Sequence, residues 1–359
     1  MAGNGKECFL MSKAAPRIAV VLFNLGGPDA PDAIEPFLFN LFNDPAIIGL
    51  SGPLRWLLAK VISKRRTPVA KEIYRHIGGK SPLLEETEAQ VRALEGALAE
   101  DEGEYRVFIA MRYWHPMSDK TVQAVKDFDP DRIVLLPLYP HFSTTTTGSS
   151  LKDWRKAAAG LDKPTNAVCC YPLASGYIAG LAATIMPGIE EARDMGNPRV
   201  LFSAHGLPKK IIAAGDPYQW QIELTARGVV QALGIDGLDW AICYQSRVGR
   251  LEWIGPSLDD ELARAGKDGV PVIVAPISFV SEHSETLVEL DIEYRKMADE
   301  LNVPGYVRAP AIGVEENFIA ALAGIVRDAL AVAKKGQDMS VCSQTGLRVC
   351  PANHRQCPL

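Results

Sequence analysis

The run R-V-L-F, Arg199–Phe202, enters S-A-H-G-L-P, Ser203–Pro208, and its reading decides the fold. A short apolar run that stops at small, polar and turn-forming residues marks a buried strand at its end. The same texture recurs in the second half, where Trp240–Cys243 leads into Y-Q-S-R-V-G and Val270–Pro276 into I-S-F-V-S-E-H. It is echoed in the first half: Arg17–Asn24 precedes G-G-P, Arg106–Met111 precedes R-Y-W-H-P, and Arg132–Leu138 precedes Y-P-H-F-S. Longer helical patterns separate the runs, so parallel α/β architecture is expected. Unequal spacing excludes a solenoid. Two similar doubly wound domains facing each other are expected, with candidate site residues from both halves, just beyond the carboxyl ends of the strands.

The expected boundaries are a flexible N-terminus at 1–16, an α/β domain at 17–165 and a second at 166–314. A helix at 315–335 and an irregular, cysteine-bearing tail at 336–359 follow. The 359 residues are 47% hydrophobic and 23% charged, a globular composition, and a net charge of -5 argues against a nucleic-acid binder working through bulk positive charge. Nothing reads as a bilayer span. The first residues lack a signal pattern and seven cysteines fit a reducing compartment, so a cytoplasmic location is expected.

A second stretch, F-V-S-E-H-S-E-T-L-V-E-L-D-I-E-Y at Phe279–Tyr294, spaces Glu282, Glu285, Glu289 and Glu293 by three, four and four. On a helix these carboxylates form one stripe, and like charges at such spacings repel. Val288 and Ile292 flank the stripe on one side and Leu287, Leu290 and Tyr294 on the other. Carboxylates crowded between packed shoulders gain protons or hold a cation; a solvated polar face is the plain alternative. His205 follows a strand matching the one that leads to Glu285, so imidazole and acid are expected to meet across the gap between the sheets. An imidazole accepts protons near neutrality or ligates a divalent metal, and a carboxylate supplies charge and relays protons. A purely structural histidine is the alternative. His283 and His115 are further candidates; His76 and His141 are weaker ones.

Between Pro36 and Arg66, F-L-F-N-L-F, I-I-G-L and L-R-W-L-L-A-K-V-I-S-K-R-R combine large apolar side chains with cations gathered at one end. This is either a buried core helix or an apolar lip that takes a flat greasy ligand or rests on a bilayer, with Lys64, Arg65 and Arg66 meeting anionic groups. An apolar helix of about 14 residues is too short to span a membrane. S-T-T-T-T-G-S-S at Ser143–Ser150 lacks the lysine of a phosphate loop, and G-G-P at Gly26–Pro28 lacks dinucleotide spacing, so hydroxyl-capped turns are the better reading and no nucleotide cofactor is expected. Cys342, Cys350 and Cys357 are separated by seven and six residues. They suggest a metal or iron–sulfur site with Cys169 or Cys170 as fourth ligand, and incidental free thiols fit equally.

Taken together, these segments resemble the ferrochelatases, enzymes that insert ferrous iron into protoporphyrin IX. The resemblance runs from about Pro16 to the C-terminus through N-L-G-G-P (Asn24–Pro28), K-R-R-T-P (Lys64–Pro68), Y-R-H-I-G-G-K-S-P (Tyr74–Pro82), R-Y-W-H-P (Arg112–Pro116), T-T-G-S-S (Thr146–Ser150), F-S-A-H-G-L-P (Phe202–Pro208), Q-S-R-V-G (Gln245–Gly249), W-I-G-P (Trp253–Pro256) and the glutamate-rich stretch. It implies two flavodoxin-like, chelatase-type doubly wound parallel-sheet domains related by pseudo-two-fold symmetry, with the ligand between them. It assigns the catalytic, metal-binding pair to His205 and Glu285, and an iron or proton path to Glu289 and Glu293. Porphyrin contacts fall to Leu25, Arg66, Tyr74, Ser81, Phe279 and His283, and the lip to 36–66. The implied reaction consumes Fe2+ and protoporphyrin IX and yields protohaem and two protons, in haem biosynthesis. Coproporphyrin III metallation, or a carrier that binds porphyrin or haem without catalysis, is the alternative. Some relatives hold a 2Fe–2S cluster on tail cysteines plus one internal cysteine. Here the animal internal cysteine is replaced by Thr144 and one tail cysteine falls near Asn353, so the animal ligand set is incomplete. The resemblance also implies peripheral contact with the inner membrane, and leaves monomer or homodimer open.

Overall fold

The computed structural model describes residues 15–247, 249, 251–332 and 339–359. Its strands are β1 (Arg17–Asn24), β2 (Glu104–Met111), β3 (Arg132–Pro137), β4 (Thr165–Val168), β5 (Arg199–His205), β6 (Asp239–Gln245), β7 (Val272–Pro276), β8 (Tyr306–Arg308) and β9 (Ser340–Cys342). They form two wholly parallel sheets, ordered β2-β1-β3-β4-β9 and β6-β5-β7-β8. Without β9 the two orders are the same, so the sequence echo is a topological repeat and each half is a flavodoxin-like doubly wound sheet. Strand order reverses beside β1 and beside β5. Ligand crevices are therefore expected beyond the carboxyl ends of β1 with β3 and of β5 with β7.

Helices cover both faces of each sheet, which is why β1 and β5 read as near-continuous apolar runs rather than alternating ones. Alternate residues still divide by face. Val20, Leu22, Val134 and Leu136 share one core with Val200, Phe202 and Ile273 of the second sheet, joined through Ile185 and Phe318 on the helices Ser175–Arg193 and Glu316–Ala331. Ala19, Val21 and Ile133 face a separate core, and Leu201, Val272 and Val274 a third. One apolar interior thus runs through both halves.

Several expectations change. The boundary at residue 165 falls inside β4, which pairs with β3 in the first sheet. The tail is not wholly irregular: β9 pairs with β4 and extends that sheet. The helix expected at 315–335 is Glu316–Ala331, its start capped by the Glu315 carboxylate accepting the Phe318 N–H at 3.0 Å. Residues 333–335 and the N-terminal segment up to residue 14 lie outside the described residues. The segment expected as a lip holds two helices, Ile34–Phe42 and Gly52–Arg75, and the second continues for 24 residues through Pro68. A buried core helix is excluded there, because Leu54 and Leu57 are 59% and 57% exposed. Among the described residues no helix is long and apolar enough to cross a membrane.

Gln90, on the helix Leu83–Leu98 of the first half, staples the halves beside the second crevice. Its fully buried amide donates to the carbonyls of Val280 at 2.8 Å and Gly313 at 3.0 Å, and its oxygen accepts the Ser281 hydroxyl at 3.2 Å. Gln90→Leu keeps the volume, strips the Gly313 carbonyl of its side-chain donor and leaves the Val280 carbonyl only the Gly313 N–H at 3.1 Å. The expected cost is about 1–3 kcal/mol, read as a lower urea midpoint; an unchanged midpoint would show that the staple carries no load.

Candidate active site

His205 is the last residue of β5, and Glu285 opens the helical segment that follows β7, the strand bonded to β5. Both therefore come from the second half. The expected meeting across the gap between the sheets is corrected: the pair is built on neighbouring strands, which fixes its geometry locally. His205 Nδ1 lies 2.9 Å from Glu285 Oε2, and Nε2 has no partner among the described residues. The side chains remain 37% and 28% exposed, so both are accessible from the crevice. The Ser278 hydroxyl accepts the His205 N–H at 3.2 Å, and the Tyr218 hydroxyl donates to the His205 carbonyl at 3.0 Å.

Glu285–Tyr294 is a π-helix rather than an α-helix. Its wider turn brings residues four apart nearly into line, so Glu285, Glu289 and Glu293 follow one another along it. The wider backbone is held by outside donors: Gln245 to the Glu285 carbonyl at 3.0 Å, Tyr306 to the Leu290 carbonyl at 2.8 Å, and Arg295 to the Asp291 carbonyl at 3.2 Å. Glu282 leaves the stripe. It precedes the π-helix and is bound to Arg308 at 2.7 Å and to the Ala311 N–H at 2.9 Å, while Arg308 also grips Asp291.

Gln245 and Ser246, which the sequence placed in a motif without giving them a role, connect the carboxylates. Ser246 donates through Oγ to Glu289 Oε2 at 2.6 Å and more weakly to Glu285 Oε2 at 3.3 Å, and its N–H meets Glu289 Oε1 at 2.8 Å. Gln245, oriented by the Ser203 hydroxyl at 2.8 Å, donates to Glu289 at 3.2 Å. Ser246 holds φ +60°, a left-handed conformation unusual for serine and often found at functional sites. The available signal was position: Gln245 ends β6, with Ser246 next, as His205 ends β5.

Burial opposes charge on all three groups, but the outcomes differ. Burial would raise Glu285, yet the charge and hydrogen bond of His205, helped by His283, hold it well below the ordinary carboxylate value. Burial would lower His205, yet Glu285 and then Glu289 raise it. For Glu289, burial and the neighbouring Glu285 charge both act upward and outweigh the hydrogen bonds from Ser246 and Gln245. The arrangement favours a charged imidazole–carboxylate pair backed by an acid that takes a proton readily.

The remaining candidates separate. His283 is buried, its Nε2 3.8 Å from Glu285 Oε2 and its Nδ1 3.1 Å from the Ser281 carbonyl; the Phe279 ring stands edge-on to it at 4.6 Å and to His205 at 6.5 Å. Tyr74, near the end of the long lip helix, brings the first half to this site. Burial pushes its phenol up to about 12, with the Ser284 hydroxyl pulling down and the Glu285 charge adding to the rise. Arg66 lies about two turns earlier on that helix, half-buried and without an ion-pair partner among the described residues. Leu25 directly follows β1, and Ser81 is buried against Gly27, where an added Cβ would stand 2.4 Å from the Ser81 hydroxyl. Glu293 is exposed and lines a cavity of about 450 Å³ with Glu72, His76, Pro68, Val288 and Ile292, between the lip helix and the π-helix. His141 is instead a core residue, bonded to Thr225 at 2.8 Å and lowered by burial to about 3; His115 is exposed beside Trp114. Among the described residues no three histidine, cysteine or acidic side chains already stand as a metal site.

Two doubly wound lobes with this open histidine–carboxylate pair define an α/β enzyme of the chelatase type. The ferrochelatase family model matches residues 17–330. A ferrochelatase of Phenylobacterium zucineum is 53% identical over 95% of this chain and 97% of its own, one of Caulobacter vibrioides 54% over 95% and 97%, and one of Pelagibacter ubique 47% over 95% and 98%. The chain belongs to the ferrochelatase family and is a metal chelatase, a lyase. Among solved structures, SirB from Bacillus subtilis with Fe3+ is similar at 12% identity and TM-score 0.49, covering 88% of this chain and 96% of that one. CbiX, described as the terminal enzyme of sirohaem biosynthesis in denitrifying bacteria, is similar at 14% identity and TM-score 0.47, covering 89% and 100%.

The pair sets a pH signature. A raised His205 contributes stability that is fully present below its unfolded value, near 6.5, and lost as pH rises through the folded value. A depressed Glu285 contributes above its unfolded value, near 4.5, and loses it as pH falls through the folded value. Glu285→Gln is therefore expected to destabilise most at pH 5–6 and least near pH 9, in urea titrations at each pH. A pH-independent loss would mean the pair is not charged.

Proposed function

We propose that this chain inserts ferrous iron into protoporphyrin IX, releasing protohaem and two protons, as a step of haem biosynthesis. The observation that carries this reading is His205: Glu285 occupies its Nδ1, Nε2 is left without a partner among the described residues on a side chain 37% exposed, and Tyr74 reaches the pair from the other half. A free-base porphyrin holds two pyrrole protons in the hole iron must enter. In its neutral form, with the Nδ1–H held by Glu285, His205 accepts a pyrrole proton through Nε2 and becomes the imidazolium that Glu285 stabilises. Loss of that proton to solvent returns the ring to its neutral form for the second, and Ser246 joins Glu285 to Glu289, whose raised proton affinity suits it to take up protons on the way out. Glu293, in its exposed cavity, serves as the outer station for incoming iron or departing protons. Phe279, His283, Leu25 and Ser81 line the macrocycle, and Arg66 meets a propionate. Bending of the macrocycle draws on apolar contact with the lip, Pro36–Lys64.

His205→Ala is expected to lower insertion at least about 100-fold while porphyrin fluorescence still reports binding; retained turnover overturns the assigned role, and binding without turnover in the parent protein would favour a carrier. Glu285→Gln is expected to slow insertion more than Glu289→Gln, and equal losses contradict a graded path. Offering protoporphyrin IX and coproporphyrin III side by side tests the substrate, with the apolar lip favouring the former. The same lip, with Trp56 capped by Lys60 at 4.9 Å and Leu54, Leu57 and Val61 exposed, supports peripheral contact with an anionic membrane.

We further propose a 2Fe–2S cluster on the cysteines, which gather in one region without standing, among the described residues, as a closed metal site. Cys169 and Cys170 Sγ lie 3.6 Å apart, Cys342 is brought beside them where β9 meets β4, and Cys350 and Cys357 of the tail complete the neighbourhood. Burial first, and neighbouring thiols next, raise Cys342 to about 11 and Cys350 to about 12. Soft donors that resist becoming bare thiolates in this apolar pocket fit a cationic iron centre. Cys342, Cys350 and Cys357 with Cys170 or Cys169 would hold the group, which would supply cross-linking of tail to sheet. Purified protein is expected to carry iron and acid-labile sulfide with visible absorbance that Cys357→Ser removes; colourless, iron-free and active protein contradicts a required cluster.

A further inference from the structure

We infer that Tyr218 and Gln221, on the first turn of the helix Tyr218–Leu233, are positioning residues that couple the tail thiol Cys350 to the backbone of His205. The inference rests on the proposed function only for the importance of His205. Gln221 is fully buried; its amide donates to Cys350 Sγ at 3.1 Å and its oxygen accepts the Phe142 N–H at 2.7 Å. Three residues earlier, on the same face of the turn, Tyr218 donates its hydroxyl to the His205 carbonyl at 3.0 Å. The turn has little slack. Asp216, also fully buried, accepts the Tyr218 N–H at 3.0 Å through one oxygen, and through the other the Thr144 N–H at 2.8 Å, the Thr144 hydroxyl at 2.9 Å and the Ser143 hydroxyl at 3.0 Å.

Removing the sulfur leaves a buried amide N–H without an acceptor, a costly state. Gln221 must then turn away and lose Phe142, or the helix start must shift. Tyr218 moves in the second case and is loosened in the first, and close-packed interiors transmit such displacements. Thr144 and Ser143, in the hydroxyl-rich run that failed as a phosphate loop, acquire a structural purpose: they anchor this turn to the first half. A substitution or chemical change at the tail thereby alters the aim of the imidazole without touching it.

The test follows His205 by NMR in protein labelled with 15N-histidine, its resonances assigned with His205→Asn. Cys350→Ala is expected to shift the His205 imidazole signals, Cys350→Ser to shift them less, and Tyr218→Phe to abolish the response to Cys350→Ala. If Cys350→Ala does not fold, Gln221→Met breaks the same link from its other end and is expected to shift them too. In turnover, Gln221→Met lowers kcat about 2- to 30-fold, the range expected for such coupling, with the porphyrin KM unchanged. His205 signals indifferent to Cys350→Ala and Gln221→Met, or shifted equally in the Tyr218→Phe background, overturn the coupling. Insertion assays on the parent protein separate the two claims: parent protein without turnover but with a responsive His205 sinks the proposed function and leaves the coupling standing.

Discussion

An imidazole and a carboxylate held 2.9 Å apart in a partly open crevice is the constraint around which the second half is arranged. Two groups that burial would each drive toward neutrality instead support each other's charge, and that requires a backbone able to hold them together. Neighbouring parallel strands provide it. β5 ends in His205, and β7 leads through Ser278 and the Phe279–Ser284 loop to Glu285, so their separation is set by one ladder of strand hydrogen bonds rather than by the meeting of two lobes.

The first half acts on this pair from outside. Gln90 fixes the Val280 carbonyl and the Ser281 hydroxyl of the loop before Glu285, Tyr74 brings a buried phenol near the carboxylate, and the shared core beneath joins the sheets. On the proposed function the lobes shape a ligand while His205 and Glu285 remain on a single support, which is the sense in which a preorganised site lowers the cost of reaction. Dependence on other elements is strongest in the π-helix. Its carbonyls are served by Gln245, Tyr306 and Arg295, and Arg308 ties Asp291 to Glu282, so its wide turn is a property of its neighbours as much as of its own residues.

That explains what the sequence could and could not disclose. β1, β3, β5 and β7 were legible because strands buried on both faces must be apolar throughout, and the repeated turn chemistry at their ends disclosed the topological repeat. β4, T-N-A-V, and β9, S-V-C, are too short and mixed to announce themselves; they exist because each completes the other's hydrogen bonds over a long separation. Spacings of three, four and four fit an α-helix or a wider one equally, so the π-helix was invisible, as was the capture of Glu282 by Arg308. The lip helix was expected to end near Arg66; it passes Pro68, an exposed position where a missing N–H is tolerated more cheaply. His205 and Glu285 were legible as chemistry, whereas Gln90, Tyr218 and Gln221 were not, because amides and phenols in the interior acquire meaning only from what they bind.

The most direct measurement is a crystal structure of the protein with metal-free protoporphyrin IX. The account requires the macrocycle in the crevice with His205 Nε2 turned toward its pyrrole nitrogens, and Nδ1 still bonded to Glu285. A porphyrin bound elsewhere, or a His205 ring whose Nε2 faces away from it, would contradict the account.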